Sequence, residues 1–258
     1  MRHPFRLAAL SLVTSLYLLA CGDDEDDAGT LTVHFDHQIA DETLDIDAMA
    51  IYTNAAGNTY TVSRLEYIVT DIDLIRDDGA TYHLRDEHYR NAASAATTSF
   101  TAIGVPAAQY SACRFVFGID PARNVTGALP NTSDFNNMEW PAPMGGGYHY
   151  MRLEGLFDDG GESQAFLSHL GPSGGSDFSF VVELPLSLHV DGEDSEIHIV
   201  MDVNEWFEDP VVYDLAGQGM IMGNADAQLT HQANGATVFT VSGSGRHDHD
   251  HDEDDHDE

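Results

Sequence analysis

The sequence predicts an all-β protein: an antiparallel β-sandwich with long loops and a disordered, acidic, His-rich C-terminal tail. Three observations favour this fold class. Short runs alternate apolar and polar residues, turn-forming residues separate the runs, and no window has the pattern of a long amphipathic helix. The roughly 220 residues between the two acidic ends are enough for one hydrophobic core.

Each predicted strand alternates with a period of two or is an apolar run bounded by Gly, Pro, Asn or Asp. In chain order they are residues 31–37, 49–53, 60–62, 65–75, 80–84, 109–119, 148–156, 163–169, 177–188, 196–203 and 237–242. Residues 85–96 are polar and Ala-rich, which predicts a short helix or a loop. Residues 124–137 predict a long loop, residues 204–207 a helical turn, and residues 220–222 lie in a loop-rich stretch.

The N-terminus has the features of an export signal. Residues 1–20 combine a basic start with an apolar run too short to span a bilayer comfortably. The run ends in Leu18-Leu19-Ala20-Cys21, which resembles the lipobox of bacterial lipoproteins, so Cys21 is the predicted lipidation site and residues 21–29 an acidic tether. An ordinary secretory signal is the alternative. Either way we expect an exported protein. With Cys21 lipidated, we expect a periplasmic or cell-surface lipoprotein held at the membrane by its lipid.

The charge balance excludes some partners. The chain has 44 acidic residues against 10 basic ones, all Arg, for a formal charge of −34. Nucleic acid and anionic membrane surfaces are therefore poor partners, whereas a metal-handling role suits this negative electrostatic potential. If Cys21 is lipidated, only Cys113 remains, so no intramolecular disulfide is available. Cys113 lies on the same face of its predicted strand as Phe115 and Phe117. This apolar face favours a buried inert thiol over a thiolate copper ligand.

The C-terminal tail, residues 244–258, is too rich in His and carboxylates to form a core and is predicted to be disordered. Alternating imidazoles and carboxylates bind divalent metals such as Zn, Cu or Ni loosely. A purely solvating acidic tail is the alternative. The tail histidines are His247, His249, His251 and His256.

The residues around Trp140 are the strongest candidates for chemistry. Thioethers, an oxidisable indole and an imidazole follow each other closely there, and these are residue types that a copper site uses. Two imidazoles and a weak third donor satisfy Cu(I), so His37 and His169, with Met138 or Trp140, are the candidate ligands if the fold brings them together. The alternative is that these histidines are hydrogen-bonded core residues.

Two further histidines are secondary metal candidates. His34 points to the face of its strand opposite His37, and His149 points away from Tyr148 and Tyr150. No nucleophile elbow, HExxH, phosphate-binding glycine loop or haem motif is present, so we expect no enzymatic activity. An exported hydrolase that uses an unmarked pair of acids is the least favoured alternative.

The order and spacing of several short motifs resemble the MbnP-like family, exported copper-binding proteins associated with methanobactin operons. The resemblance covers residues 30–242. Its motifs are Phe35-Asp36-His37, Tyr52-Thr53-Asn54, Arg64-Leu65-Glu66-Tyr67, Gly118-Ile119-Asp120, Met138-Glu139-Trp140, Leu153-Glu154-Gly155 and His169-Leu170-Gly171.

The resemblance implies a β-sandwich domain, here residues 30–243, that binds one copper, Cu(I) or Cu(II), through His side chains and a tryptophan oxidised to kynurenine. It also implies a dihaem partner of the cytochrome c peroxidase type that installs this modification. Trp140, His37 and His169 match the family's motif positions. Relatives often carry a second Trp two residues after the first, and Ala142 stands there. A non-catalytic structural or interaction lipoprotein with packed histidines is the competing hypothesis.

Overall fold

The computed structural model describes residues 28–46 and 50–246, which form two β-sheets packed face to face. The predicted signal peptide, the lipidation site Cys21, most of the tether and the four tail histidines lie outside the described residues. Within the two described ranges, no helix has both the length and the hydropathy needed to cross a membrane.

The strands of the described residues are mostly long and connected by loops. They are β1 (Gly29–Ile39), β2 (Glu42–Thr43), β3 (Tyr52–Thr53), β4 (Thr59–Arg76), β5 (Thr81–Asn91), β6 (Ser99–Val105), β7 (Ala108–Phe117), β8 (Met151–Asp159), β9 (Glu162–Leu170), β10 (Phe180–Val190), β11 (Asp194–Asp202) and β12 (Phe239–Arg246). The helices are short: α1 (Ser133–Asn137), α2 (Ala225–Asn234) and 3₁₀ turns at Ala95–Thr97, Ala142–Met144 and Val203–Phe207.

The first sheet has the order β12-β11-β1, and β2 and β6 both pair with β1. The second has the order β10-β7-β4-β8-β9, and β3 and β5 also pair with β4. The long strand β4 organises this sheet, because β8 pairs with its first half and β7 with its second. The predicted all-β sandwich is confirmed.

Alternation along β1 explains how the layers meet. Leu31, Val33 and Phe35 are fully buried, and the residues between them are half-buried. The Phe35 ring meets Tyr67 and Phe115 of the second sheet, with centroids 6.4 and 5.9 Å away. Every second residue of a strand faces the same side, so His34 and Asp36 lie on the outer face of the first sheet.

One pairing departs from a wholly antiparallel sandwich. Strands β1 and β11 are parallel and in register from Thr30 opposite Asp194 to Gln38 opposite Asp202. Period-two alternation is the same in parallel and antiparallel strands and does not reveal orientation. More than 150 residues separate the two strands, so no tight turn restricts how they pair.

One local prediction was wrong, and two elements were missed. Residues 85–91 continue strand β5 and pair with β4, and only Ala95–Thr97 is helical. The prediction failed because this part of the strand is mostly polar, although His88 and Arg90 are buried. Strand β6 was missed because it is short and pairs with β1 while its Ile103 is exposed. Helix α2 was missed because it is Ala-rich and weakly amphipathic, although the Asn224 side chain caps it by accepting from the Ala227 amide.

The outer edge of the second sheet is β9. There Leu167 forms a parallel bridge with Met220. The Leu167 carbonyl accepts the Ile221 amide at 3.4 Å, and the Leu167 amide donates to the Gly219 carbonyl at 2.5 Å. The last strand extends further than predicted. Strand β12 continues to Arg246, beyond the predicted domain boundary at residue 243.

Candidate metal centre

Three candidate residues, Trp140, His149 and His169, form one cluster. The ring centroids of Trp140 and His149 are 4.6 Å apart, and those of His149 and His169 are 5.2 Å apart. All three side chains are buried. Backbone hydrogen bonds position the first two, because the Trp140 amide donates to the Gly147 carbonyl at 2.8 Å and the His149 amide donates to the Met138 carbonyl at 2.7 Å.

The glycine run makes this arrangement possible. Gly145, Gly146 and Gly147 have φ values of 118°, 73° and 86°, in the left-handed region where residues with a Cβ are strained. They reverse the chain between Trp140 and His149. The turn is held from outside by Thr126, whose Oγ1 accepts the Gly147 amide at 2.8 Å.

Trp140 packs directly against the backbone of Gly171. A Cβ atom at position 171 would lie 2.6 Å from Cε3 and Cζ3 of the indole, closer than any relaxed contact allows. The Gly171 amide donates to Oε1 of Gln228 at 3.2 Å, and Nε2 of Gln228 donates to the His169 carbonyl at 2.8 Å. Gln228 of α2 therefore fixes the backbone segment that carries His169 and Gly171, on which the Trp140 indole packs.

His149 is neutral and oriented. Its Nδ1 lies 3.1 Å from the Met138 carbonyl, which can only accept, so Nδ1 carries the proton and Nε2 the lone pair. Nε2 is buried and finds no hydrogen-bond partner among residues 28–46 and 50–246. Burial, with a smaller contribution from His169, lowers the pKa of His149 to about 4. A buried lone pair with no partner is the donor that a metal ion requires.

His169 is oriented by a carboxylate. Its Nε2 donates to Oε1 of Glu154 at 2.8 Å, which leaves Nδ1 with the lone pair. Oε1 of Glu154 is also 2.9 Å from Arg64 and 3.4 Å from Arg152. The hydrogen bond from His169, followed by the charge of Arg64, lowers the pKa of Glu154 to about 2, so the acceptor stays ionised.

A cavity of about 330 Å³ opens beside His169. Methionine side chains contribute two soft sulfur donors to its wall. Sequence reasoning missed Glu154 and both of these methionines as parts of the site. Glu154 entered only as the middle residue of the family motif Leu153-Glu154-Gly155, with no role assigned, and Met220 and Met222 lie in a loop-rich stretch with no motif. The lining residues are Leu167, His169, Met220, Met222, Gly223 and Asn224.

The structure does not bring His37 to this cluster. Its Nε2 lies 3.1 Å from the Tyr67 hydroxyl, and its Nδ1 lies 3.4 Å from the Arg90 guanidinium. Burial, then the charge of Arg90, lowers the pKa of His37 to about 3. Both ring nitrogens are occupied and a cation is adjacent, so His37 has the environment of a hydrogen-bonded core residue.

The register explains the separation. Tyr67 pairs with Met151, which pairs with Leu170, and all three side chains are buried between the sheets. His169 precedes Leu170 and therefore faces the opposite side of the second sheet. The expectation that His37 and His169 converge is corrected here, because the backbone of that sheet lies between them.

The remaining sequence candidates are also placed. His149 contacts Trp140 and His169, so it belongs to the candidate site, whereas the Tyr150 hydroxyl bonds Asn124 and Asp177. Met138 contributes its carbonyl to the orientation of His149. His34 lies on the outer face of the other sheet, beside His198 and Glu196. Cys113 is buried and unpaired with another cysteine, and burial raises its pKa to about 12, in agreement with an inert thiol.

Comparison with known proteins finds the same family that the order of the sequence motifs resembles. The fold is similar to that of MbnP from Methylosinus trichosporium, with a TM-score of 0.56 and 13% identity, over 83% of this chain and 98% of that one. At this identity the similarity shows the fold alone. No curated protein matches the sequence. The MbnP family model, however, matches residues 28–223, which is most of the chain. The chain therefore belongs to the MbnP family.

Proposed function

We propose that this protein is an exported copper-binding protein that holds one copper ion with His149 and His169 beside Trp140, and that it is not itself an enzyme. The observation that carries the proposal is the Nε2 atom of His149, a buried lone pair with no partner in the described part of the chain. An unsatisfied buried polar atom is costly unless it serves a ligand.

The two imidazoles are prepared in the way that metal-binding histidines are. Such ligands commonly donate their second ring N–H to a carbonyl or carboxylate, which fixes the tautomer and the ring orientation. The Met138 carbonyl has this role for His149, and Glu154 has it for His169. Both imidazoles then present lone pairs from rings 5.2 Å apart.

The surroundings favour copper among the first-row metals. Imidazole suits several of these metals, but thioethers select Cu(I), and Met220 and Met222 line the cavity that His169 shares. Bound copper would supply a soft, redox-active cation at this position. His149 and His169 would hold it, and Glu154 would maintain the orientation of His169.

Trp140 is proposed as the residue modified to kynurenine. Its indole is against His149, and its Nε1 is buried with no partner in the described ranges. The modification breaks the C2–C3 bond of the indole and adds an oxygen atom to each carbon, a four-electron oxidation that consumes two molecules of hydrogen peroxide and releases two of water. Hydrolysis of the resulting N-formyl group with one water then releases formate. Family membership supports a dihaem peroxidase-like partner as the catalyst of the oxidation. Family membership also supports export. The lipobox-like residues Leu18-Leu19-Ala20-Cys21 support anchoring through Cys21, as a periplasmic or cell-surface lipoprotein.

The test is a Cu(I) titration of the full-length chain against a competing chelator, in which His149→Ala and His169→Ala are compared with the unchanged chain. Each substitution should weaken copper binding strongly, because one imidazole is lost from a buried site. His37→Ala should leave the copper affinity nearly unchanged. The exposed His189→Ala is the matched control. Full affinity in the His149/His169 double variant would favour the competing hypothesis of a structural lipoprotein with packed histidines.

A second measurement addresses the modification alone. Peptide mass spectrometry after co-expression with a dihaem partner should find the kynurenine mass at Trp140 and the tryptophan mass at Trp206, which is also buried. An unmodified Trp140 beside an active partner would overturn the kynurenine assignment and leave the histidine site to be judged by the titration.

A further inference from the structure

A second cluster of metal-ligating side chains lies on the outer face of the first sheet. The parallel pairing of β1 and β11 sets His34 opposite His198 and Thr32 opposite Glu196. Residues two apart in a strand face the same side, so Glu196 and His198 project together beside His34. Their ligand atoms lie within 4.8 Å of one another.

The carboxylate of Glu196 lies close to both imidazoles. One of its oxygens is 3.8 Å from Nε2 of His34, and the other is 3.6 Å from Nε2 of His198. The two imidazole rings stack, with centroids 4.4 Å apart and planes inclined by only 3°. Nε2 of each ring thus lies near the same carboxylate, on one face of the sheet.

A fourth residue prepares His198 as a ligand. Nδ1 of His198 lies 3.0 Å from Oδ2 of Asp36, on the neighbouring strand. When Nδ1 donates its proton to this carboxylate, the lone pair of His198 is on Nε2, toward Glu196. A carboxylate behind a histidine in this way both orients the ring and raises its basicity toward a metal.

The cluster is accessible and independent of the copper site. The side chains of His34, Glu196 and His198 are 25%, 27% and 35% exposed, so an ion from solution reaches them. They lie on the outer side of the first sheet, whereas His149 and His169 lie outside the second. An adjoining cavity of about 350 Å³ reaches the pair His34 and Glu196.

We propose that His34, His198 and Glu196 bind a divalent cation of the Zn²⁺ class, with Asp36 as a positioning residue for His198. Two imidazoles, one carboxylate and a water complete a tetrahedral Zn²⁺ shell. The set has no sulfur and includes a hard oxygen donor, which favours a divalent ion over Cu(I). The protein then carries two metal sites of different chemistry, on opposite sides of the sandwich.

The test uses the full-length chain with His247, His249, His251 and His256 replaced by Ser, so that the tail does not contribute imidazoles. Zn²⁺ is titrated by calorimetry, and Co²⁺ is used as a coloured substitute that reports a tetrahedral shell by its visible absorption. His34→Asn, His198→Asn and Glu196→Gln should each lose one Zn²⁺ equivalent and the Co²⁺ absorption. Asp36→Asn should retain the equivalent but bind about ten- to a hundredfold more weakly.

His83→Asn is the matched control, because His83 contacts two carboxylates, those of Asp73 and Asp86, in a strand of the other sheet. It should bind Zn²⁺ as the parent does. Thermal unfolding without metal verifies that each variant is folded. An unchanged number of Zn²⁺ equivalents in folded His34→Asn and His198→Asn would overturn the proposal, and so would an equal loss in His83→Asn.

Discussion

The ring of His149 meets the indole of Trp140 edge to face, with centroids 4.6 Å apart and planes inclined by 63°. The imidazole whose Nε2 has no partner among the described residues therefore contacts the residue proposed to be modified. Conversion to kynurenine opens the five-membered ring and creates a ketone oxygen and an aryl amine at this contact. Any such change acts directly on the environment of a proposed copper ligand.

Substitution Gly171→Ala should displace the indole of Trp140, because the new Cβ would lie 2.6 Å from two of its ring atoms. We expect a loss of about 1–3 kcal/mol in the free energy of unfolding, as is usual for overpacking, and weaker Cu(I) binding. Urea unfolding and chelator competition measure the two effects. Gly243→Ala is the control, since nothing lies within 4 Å of its added Cβ. Equal stability in the two variants would contradict the close packing of Trp140 on Gly171.

Substitution Glu154→Gln should weaken copper binding by about ten- to a hundredfold without a change in stoichiometry, because a neutral amide orients His169 less firmly than a carboxylate. Chelator competition measures the affinity. The control is Glu162→Gln, an exposed glutamate at the start of β9, the strand that carries His169. An affinity equal to that of the unchanged chain would remove Glu154 from its positioning role.

His231 should make the protein less stable in mild acid. Burial lowers its pKa to about 4, whereas the unfolded chain has the ordinary value of about 6.5. Below that ordinary value the unfolded state binds a proton that the folded state does not, so the free energy of unfolding falls as the pH decreases toward about 4.

Substitution His231→Gln removes this contribution. Urea unfolding from pH 7 to pH 4 should show a smaller loss of stability in the variant, by on the order of 2–3 kcal/mol. The exposed His189→Gln should keep the steeper dependence. The same pH dependence in all three chains would show that His231 is not held neutral.

Substitution Cys21→Ala should release the protein from membranes into the soluble exported fraction. Each methylene of an acyl chain that enters the bilayer contributes about 0.8 kcal/mol to the free energy of membrane binding. Two or more acyl chains together give stable anchoring. Fractionation and immunoblotting measure the distribution. Cys113→Ala is the control, because that thiol is buried in strand β7 and should have no part in anchoring. A Cys21→Ala protein that stays in the membrane fraction would rule out the lipid anchor.

The fold class could be predicted because alternation records burial directly. Leu31, Val33 and Phe35 show the pattern that places one face of β1 in the core. The parallel partner of that strand could not be predicted, since alternation carries no direction. Exposed edge strands such as β6 and short Ala-rich helices such as α2 have weak patterns, so their existence depends on contacts that only the folded chain makes.

The candidate site could be predicted in part. Trp140 and His169 were identified from residue chemistry and family resemblance. His37 was included because an imidazole on an apolar face requires a partner, but the sequence does not indicate that Tyr67 and Arg90 supply it. Likewise, alternation predicts that His149 and Tyr150 face opposite sides and leaves open which side holds a site. Deciding between sides requires the position of the loop that carries Trp140.

The bridge between Leu167 and Met220 means that the short segment around Met220 both covers the edge of β9 and lines the cavity beside His169. The outermost strand of a sheet exposes backbone groups that can pair with another molecule, and the residues around Met220 occupy part of that margin on β9. The same residues bring two thioethers to the cavity beside His169. Detachment of this segment would therefore favour self-association of the protein. It would also remove two thioether groups from the cavity where a soft cation is proposed to bind. Selection against self-association would then preserve the cavity wall as well.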